Sequence, residues 1–199
     1  MAEANQRFMK RLYGPKDLYK QMRAMMVHVK DMRPVDGEDR ISKRFIERIM
    51  MAVTEVNGCR YCSYFHTQVA LKEGIRKEEV DQLLSGCLEE APEEEIAALY
   101  FAQHYAESGG EPEQQAVQCL QDTYGLPHAR QIREYIRMIM IGNTWGNAFN
   151  ALGVRLKGRP AGGSSLGKEL GVVFGPFWMM PAIALQKLIS RNITVRAVR

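Results

Sequence analysis

The sequence predicts an all-α fold, a domain built from helical hairpins. Three observations lead to this prediction. Apolar residues recur at helical spacing in successive segments, glycine or proline separates those segments, and no segment alternates polar and apolar residues as a half-buried strand does. The chain has 199 residues, of which 46% are hydrophobic, so one domain with a sizeable core is expected and wholesale disorder is excluded.

The first two predicted helices are identified by their apolar faces. A helix opens at Pro15 and carries apolar residues at helical spacing as far as Val29. A loop over residues 33–37 follows it. The second helix is predicted from Arg40 to Val56, and its apolar face carries Ile41, Phe45, Ile49 and Val53.

A short turn separates the second helix from the third. Either residue of the pair Asn57-Gly58 tolerates the left-handed conformation that ends a helix. The third helix is predicted from Cys59 to Glu73, and a short fourth helix from Arg76 to Leu84. Connections as short as these produce helical hairpins.

Proline marks the start of each later helix. Three glutamates follow Pro92, where carboxylates complement the positive end of the helix dipole, and this helix ends at the pair Gly109-Gly110. Another helix is predicted over Pro112–Gly125. Pro127 then opens a long helical segment that is predicted to be interrupted near Gly142.

The two ends of the chain are predicted to flank a core domain. Residues 1–35 form an N-terminal helical arm, residues 36–153 form the core, and residues 154–199 form a Gly/Ser linker with a hydrophobic C-terminal helix. The linker, Arg155–Lys168, is basic and rich in glycine and serine, so it is expected to be mobile. The apolar run Gly171–Leu185 is shorter than the roughly 18 residues of a spanning helix, so no membrane span is predicted.

The charge balance and the cysteine count narrow the range of functions. Lys and Arg number 27 and Asp and Glu number 23, which gives a net charge of +4 spread along the chain, so no nucleic-acid partner is predicted. The first residues lack the apolar core and cleavage site of a secretory signal, so a cytoplasmic location is predicted. In that compartment, four cysteines favour redox or metal chemistry over a disulfide scaffold.

The chemically informative residues are a Cys-x-x-Cys motif and the histidine that follows it. Cys59 and Cys62 lie one helical turn apart, which brings their sulfurs within reach of a disulfide, and His66 continues the same face. A helix start favours thiolate over thiol, which points to Cys59 as the more acidic thiol. His66 is predicted to relay the thiol proton, and Glu47 to hold its imidazole in one tautomer.

Other interpretations of the same residues stay open. Two thiolates and an imidazole are good zinc ligands, with Glu47 or Glu55 as a fourth, although Cys87 and Cys119 stand singly and offer no second ligand pair. Two ordinary buried cysteines beside a packed histidine are a further interpretation. A polar and aromatic cluster in the long helical segment is predicted either to lie near the active site or to cap and pack the helix; it consists of Trp145, Asn147 and Asn150.

The motif Glu-x11-Cys-x2-Cys-x3-His resembles that of a known family. It is formed by Glu47 and, within the downstream stretch NGCRYCSYFHTQVALKEG, by Cys59, Cys62 and His66. It resembles the AhpD-like branch of the carboxymuconolactone decarboxylase family, over a region from about Arg40 to Leu152. The resemblance implies an AhpD-like helical bundle, a homo-oligomer (trimer or hexamer) and an alkylhydroperoxidase-type peroxidase that reduces hydroperoxides through thiols, with no bound metal or organic cofactor.

The resemblance also assigns roles to individual residues. Cys62 is implied to be the sulfur that attacks peroxide, and Cys59 to resolve the resulting sulfenic acid by forming the disulfide. His66 and Glu47 are implied to form the proton relay. Tyr61 stands where family members often have histidine and is a candidate auxiliary residue. The implied partners are a hydroperoxide substrate and a dithiol reductant, namely a lipoyl protein, thioredoxin or a small thiol.

Two other functions remain as alternatives. One is a lyase similar to the carboxymuconolactone decarboxylases proper, against which the dithiol counts because that chemistry has no need of two cysteines. The other is a non-enzymatic redox-sensing or zinc-stabilised oligomer. The assignment of the more acidic cysteine also stays open, since the helix start favours Cys59 and the resemblance favours Cys62.

Overall fold

The chain is helical over the part that the structure describes. A computed structural model describes residues 11–32, 41–159 and 161–197. Seven α-helices and no strand occur within these ranges, which confirms the predicted all-α class. In chain order they are α1 (Pro15–His28), α2 (Lys43–Asn57), α3 (Arg60–Lys72), α4 (Lys77–Leu83), α5 (Glu93–Glu107), α6 (Gln114–Leu156) and α7 (Leu166–Ala197), with a 3₁₀ turn over Val29–Met32 after α1.

Some predicted features lie outside the described residues. They are the first ten residues of the predicted arm, the loop over 33–37 and the Arg40 start of the second helix. The described helix begins three residues later, at Lys43. The Ser42 side chain accepts a hydrogen bond from the Phe45 N–H at 3.0 Å, which satisfies one of the free donors at the helix start.

Helix α2 lies at the centre of the main core. Its residues Ile49, Met51 and Val53 are fully buried, and it packs against α3, α5 and α6. A helix that buries residues on several faces is an interior helix, unlike a surface helix with one apolar stripe. The side chains that α2 carries are therefore held by the surrounding helices.

A buried ion cluster joins α2 to α4 and α5. Arg48 Nε donates a hydrogen bond to Glu79 Oε1 at 2.5 Å, and Arg48 Nη1 donates to Glu95 Oε2 at 3.0 Å. All three side chains are buried. Burial raises the pKa of Glu95, and the nearby guanidinium of Arg48 opposes that rise. The cluster fixes the part of α2 that also carries Glu47.

Helix α6 contains one sharp break, at Gly125. This glycine has φ 73° and ψ 158°, a conformation that a residue with a Cβ rarely adopts, and Pro127 restarts the helix. The predicted boundary between two helices is therefore correct. The predicted interruption near Gly142 is wrong, because the helix runs continuously from there to Leu156. Buried neighbours such as Met140 hold the helix together, and packing outweighs the roughly 1 kcal/mol cost of glycine in a helix.

The predicted linker is shorter than expected. Helix α6 continues to Leu156 and α7 begins at Leu166, so only residues 157–165 connect the two helices. Arg155 Nε donates to the buried carboxylate of Glu169 at 2.8 Å, and Arg155 Nη2 donates to the Ser164 carbonyl at 2.6 Å. This ion pair ties the start of α7 to the end of α6 across the connection.

Helices α1 and α7 meet in a second, smaller core. Leu18 of α1 packs there with Val172, Met179 and Ile183 of α7. Within the described ranges, the segment Leu166–Ile189 is by length and composition apolar enough to cross a membrane; an 18-residue window of it has a mean hydropathy of 1.4, and 28% of that window is buried. The sequence prediction missed this candidate because it considered only the unbroken apolar run, whereas the helix extends past that run at both ends.

Candidate active site

The turn between α2 and α3 places the first cysteine. Gly58 adopts the left-handed conformation, with φ 68° and ψ 30°, and its N–H bonds to the Thr54 carbonyl at 2.8 Å. The chain then extends through Cys59, which has φ −77° and ψ 102° and is the N-cap of α3. The predicted start of the third helix is thus correct to within one residue.

Cys59 and Cys62 are joined in a disulfide across the first turn of α3, with Cα atoms 5.3 Å apart. Cys59 Sγ accepts a hydrogen bond from the Cys62 N–H at 3.3 Å, so the sulfur caps the helix. Only 1% of Cys59 is exposed, whereas Cys62 is partly exposed. The sulfur nearest the free backbone donors is therefore the buried one, and a molecule arriving from solvent meets Cys62 first.

The structure brings Glu47 and His66 together. His66 Nδ1 and Glu47 Oε2 lie 2.8 Å apart, and each side chain is 13% exposed. A carboxylate that accepts the Nδ1 proton fixes the tautomer of the imidazole and leaves Nε2 to exchange a proton. Glu55, the other candidate carboxylate, lies instead beside the turn at Gly86, where its Oε2 is 3.5 Å from the position of a Cβ on that glycine.

Gly146 of α6 is a part of the site that sequence reasoning missed. A Cβ added at this glycine would lie 2.7 Å from Cys59 Sγ and 3.4 Å from Cys62 Sγ. The backbone of α6 therefore approaches the disulfide more closely than any residue with a side chain permits. The signal in the sequence is a pair of glycines four residues apart, Gly142 and Gly146, of which only Gly142 enters the sequence prediction, as a helix interruption.

Asn147 anchors the turn that precedes the disulfide. Its buried side-chain amide donates to the Asn57 carbonyl at 2.9 Å and to the Arg11 carbonyl at 3.0 Å. The Asn57 side chain in turn donates to Met140 Sδ at 3.1 Å and accepts from the Tyr13 hydroxyl at 3.2 Å. Within the predicted polar and aromatic cluster, Asn147 is thus the residue that supports the site, because it holds the backbone of the turn before Cys59.

Exposed aromatic side chains occur on both of the helices that meet at the disulfide, α3 and α6. Tyr61, Tyr64 and Phe65 are exposed on α3, and Phe65 contacts the His66 ring edge-on with centroids 5.2 Å apart. On α6, Trp145 and Phe149 are also exposed and pack edge-on at 4.5 Å. The predicted auxiliary residue Tyr61 is therefore a solvent-facing member of an aromatic surface on α3.

Among the described residues, side chains positioned to share a metal ion meet away from the cysteine motif. They are His28, Asp31 and Glu134, whose ligand atoms lie within 4.8 Å of one another. Glu134 already forms an ion pair with Arg137. The zinc interpretation requires Cys59 and Cys62 as thiolate ligands. In this structure the two sulfurs are bonded to each other, so they are not thiolates.

One comparison with known proteins agrees with this arrangement. Residues 22–103 match the model of the carboxymuconolactone decarboxylase family, about two-fifths of the chain, and the matched segment includes Glu47, Cys59, Cys62 and His66. Searches of curated proteins and of solved structures gave no match. The family resemblance inferred from the cysteine motif is confirmed for this segment, and the AhpD-like branch is a subset of that family.

Proposed function

From the family match and the disulfide of α3, we propose that the protein is an AhpD-like thiol peroxidase that reduces hydroperoxides. The observation that carries the proposal is the Cys59–Cys62 pair at the start of a helix, with the His66–Glu47 pair one turn further along. A thiol pair that joins into a disulfide supplies two electrons, which is what reduction of one O–O bond requires.

In the first step, the thiolate of Cys62 attacks the terminal oxygen of the hydroperoxide. The O–O bond breaks, Cys62 becomes a sulfenic acid, and the alkoxide leaves with a proton from His66 as an alcohol. Glu47 stabilises the protonated imidazole before the transfer. The partial exposure of Cys62 supports this assignment, because Cys59 is almost completely buried.

In the second step, Cys59 resolves the sulfenic acid. Its sulfur attacks the sulfur of Cys62, the S–S bond forms, and the hydroxyl group leaves as water with the proton from Cys59. An external dithiol then reduces the disulfide by two exchange reactions. In total one hydroperoxide and one dithiol yield one alcohol, one water and one oxidised dithiol. The reductant classes are those predicted above: a lipoyl protein, thioredoxin or a small thiol.

Three further features belong to this proposal. A homo-oligomer, trimer or hexamer, and a cytoplasmic location are part of it. Tyr61 is proposed as an auxiliary residue that packs or hydrogen-bonds at the mouth of the site, since it directly precedes Cys62 in the chain and is exposed.

The direct test measures peroxide consumption with each class of dithiol reductant. Cys62→Ser and Cys59→Ser are each expected to abolish turnover with helicity unchanged, and Cys59→Ser is expected to accumulate a sulfenic acid on Cys62 that a dimedone-type reagent labels. Cys87→Ser and Cys119→Ser are the matched controls and are expected to retain activity, because both lie outside the motif. His66→Asn is expected to slow turnover by about 10²–10⁴-fold. Normal peroxide consumption by both motif variants would contradict the proposal.

Two further assays on the same protein distinguish the alternative functions. Release of carbon dioxide from a lactone acid, unchanged in Cys59→Ser and Cys62→Ser, would replace the peroxidase with the lyase alternative. Stoichiometric zinc with unreactive thiols, measured by metal analysis and thiol titration before and after reduction, would favour the non-enzymatic oligomer. The peroxidase proposal expects two additional thiols to titrate after reduction of the disulfide, beyond those of the free cysteines Cys87 and Cys119.

A further inference from the structure

The outward face of α7 carries a continuous apolar stripe. We call it the α7 stripe; it consists of Leu170, Phe174, Phe177, Trp178, Leu185 and Leu188, all exposed. Leu170, Phe174 and Phe177 are spaced by three to four residues, Trp178 follows Phe177 directly, and Leu185 and Leu188 continue the same side of the helix seven residues further on, beyond Pro181. The opposite side carries Val172, Met179 and Ile183, which are buried against α1 and α6. Helix α7 is thus apolar on the face that the fold covers and on the face that it leaves open.

The α7 stripe exposes more apolar area than hydrophobic residues scattered singly over a protein surface do. Phe174, Phe177 and Trp178 are 56%, 80% and 56% exposed. At about 150–250 Å² for each aromatic side chain, these three alone present roughly 300–500 Å² of apolar surface. The largest apolar patch of a typical monomer measures about 300–600 Å² in total, and the leucines of the stripe add to the aromatic area. The whole stripe approaches the roughly 800 Å² that each partner contributes to a standard interface.

Contacts along α7 hold the helix on the folded body. Glu169 is paired with Arg155 near its start, and the Lys168 ammonium donates to the Leu12 carbonyl. In the middle, the Trp145 indole N–H donates to the Val173 carbonyl at 3.1 Å, and near the described end the Lys187 ammonium donates to the Met26 carbonyl at 2.9 Å. A helix held on one side along this length does not cross a bilayer as an isolated span.

These contacts also count against a lipid surface as the occupant. A helix that lies in a membrane interface combines an apolar face with basic side chains that reach the head groups. Lys168 precedes the stripe and Lys187 lies between Leu185 and Leu188 in the chain, and each already donates to a backbone carbonyl of the same chain. Between Glu169 and Lys187 the sequence has no charged residue.

We propose that the α7 stripe is the contact surface for a second copy of this chain, with stripe against stripe across a two-fold axis. A two-fold contact brings the same patch of both copies together, so it requires a surface that complements itself. A neutral apolar stripe meets that requirement, because pairing it with itself brings no like charges together. The contact makes the number of copies in the assembly even, so of the trimer and the hexamer named above it is compatible with the hexamer alone. It does not depend on the proposed peroxidase activity.

The test is the mass of the full chain in solution, measured by sedimentation velocity and light scattering from about 1 to 100 μM. Wild-type protein is expected to contain an even number of copies. Phe177→Glu and Trp178→Glu are expected to halve that mass with unchanged helicity, because both side chains face solvent in the single copy. Tyr100→Glu, an exposed aromatic position on α5, is the matched control and is expected to retain the wild-type mass.

Three outcomes would overturn the proposal. They are a monomeric or odd-numbered wild-type assembly, a wild-type mass in both glutamate variants, and transfer of wild-type protein from the even-numbered species onto vesicles of phosphatidylcholine and phosphatidylglycerol. Should a glutamate variant lose helicity, Phe177→Ser and Trp178→Ser provide the same comparison with a smaller perturbation. Peroxide consumption by the dissociated variants is a separate readout, since loss of the contact and loss of the dithiol chemistry are independent results.

Discussion

Replacing Gly146 by alanine tests whether α6 and the disulfide are in the close contact that the structure describes. The added Cβ would lie 2.7 Å from Cys59 Sγ, about 1 Å inside the separation of roughly 3.5–4.0 Å at which non-bonded heavy atoms pack well. The sulfur is held by the disulfide to Cys62 and cannot rotate away. Either α6 or the first turn of α3 has to move.

The expected size of the effect follows from two opposing contributions. Alanine is favoured over glycine inside a helix by about 0.5–1 kcal/mol, whereas overpacking costs about 1–3 kcal/mol. Gly142→Ala is the matched control on the same helix, since its Cβ would meet nothing closer than Ile139 Cδ1 at 3.8 Å. The free energy of unfolding of Gly146→Ala should therefore lie about 1–3 kcal/mol below that of Gly142→Ala.

Guanidinium titration followed by circular dichroism measures this difference in the oxidised protein. The same pair of alanine substitutions is then made in a Cys59→Ala, Cys62→Ala background, where the clashing sulfurs are absent. In that background Gly146→Ala is expected to stabilise the protein as much as Gly142→Ala does, which gives a coupling of about 1–3 kcal/mol in the double-mutant cycle. A coupling within the usual additivity error of about 0.5 kcal/mol would refute the close contact.

Two more predictions concern buried polar groups. Asn147→Ala is expected to lower the free energy of unfolding by about 1–3 kcal/mol in a urea titration, because the Asn57 carbonyl loses its buried donor. An unchanged midpoint would mean that the turn at Asn57-Gly58 is stable without this hydrogen bond. Burial raises the pKa of Glu134 and its ion pair with Arg137 opposes the rise, so the folded state binds this proton more tightly than the unfolded state does. The stability from this group is present below pH 4.5, its ordinary value, and is lost as the pH rises through the raised pKa. The melting temperature of Glu134→Gln minus that of wild type should therefore increase from pH 4 to pH 7, and the exposed control Glu113→Gln should show no such increase. A difference that does not change with pH would show that the Glu134 carboxyl has the same pKa in the folded and unfolded states.

The local part of the site was predictable because one helix carries it. Cys59, Cys62 and His66 share the first turns of α3, and helical spacing alone places them on one face. The Asn57-Gly58 stop was equally visible, since few residues adopt the left-handed conformation found there. Features determined by one segment of chain are the ones that a sequence pattern describes best.

The missed part depends on how helices cross. Gly146 lies 84 residues beyond Cys62 in the chain, and only the packing of α6 against α3 brings its backbone close to the two sulfurs. Glu47 was predicted as the carboxylate partner of His66, but nothing in periodicity favoured it over Glu55, which is closer in sequence. The continuous helix through Gly142 was missed for the same reason, because burial of its neighbours, not local propensity, decides that segment.

Because Cys59 Sγ caps α3, the redox state of the cysteine pair affects a backbone hydrogen bond at the start of this helix. While Cys59 is oxidised, a neutral sulfur accepts the Cys62 amide proton. Each time the bond between the cysteines is cleaved and Cys59 carries a negative charge, the same amide faces an anion and is held more firmly. Reduction thus strengthens the hydrogen bond that holds the Cys62 amide in the first turn of α3, and no hinge or lid has to move.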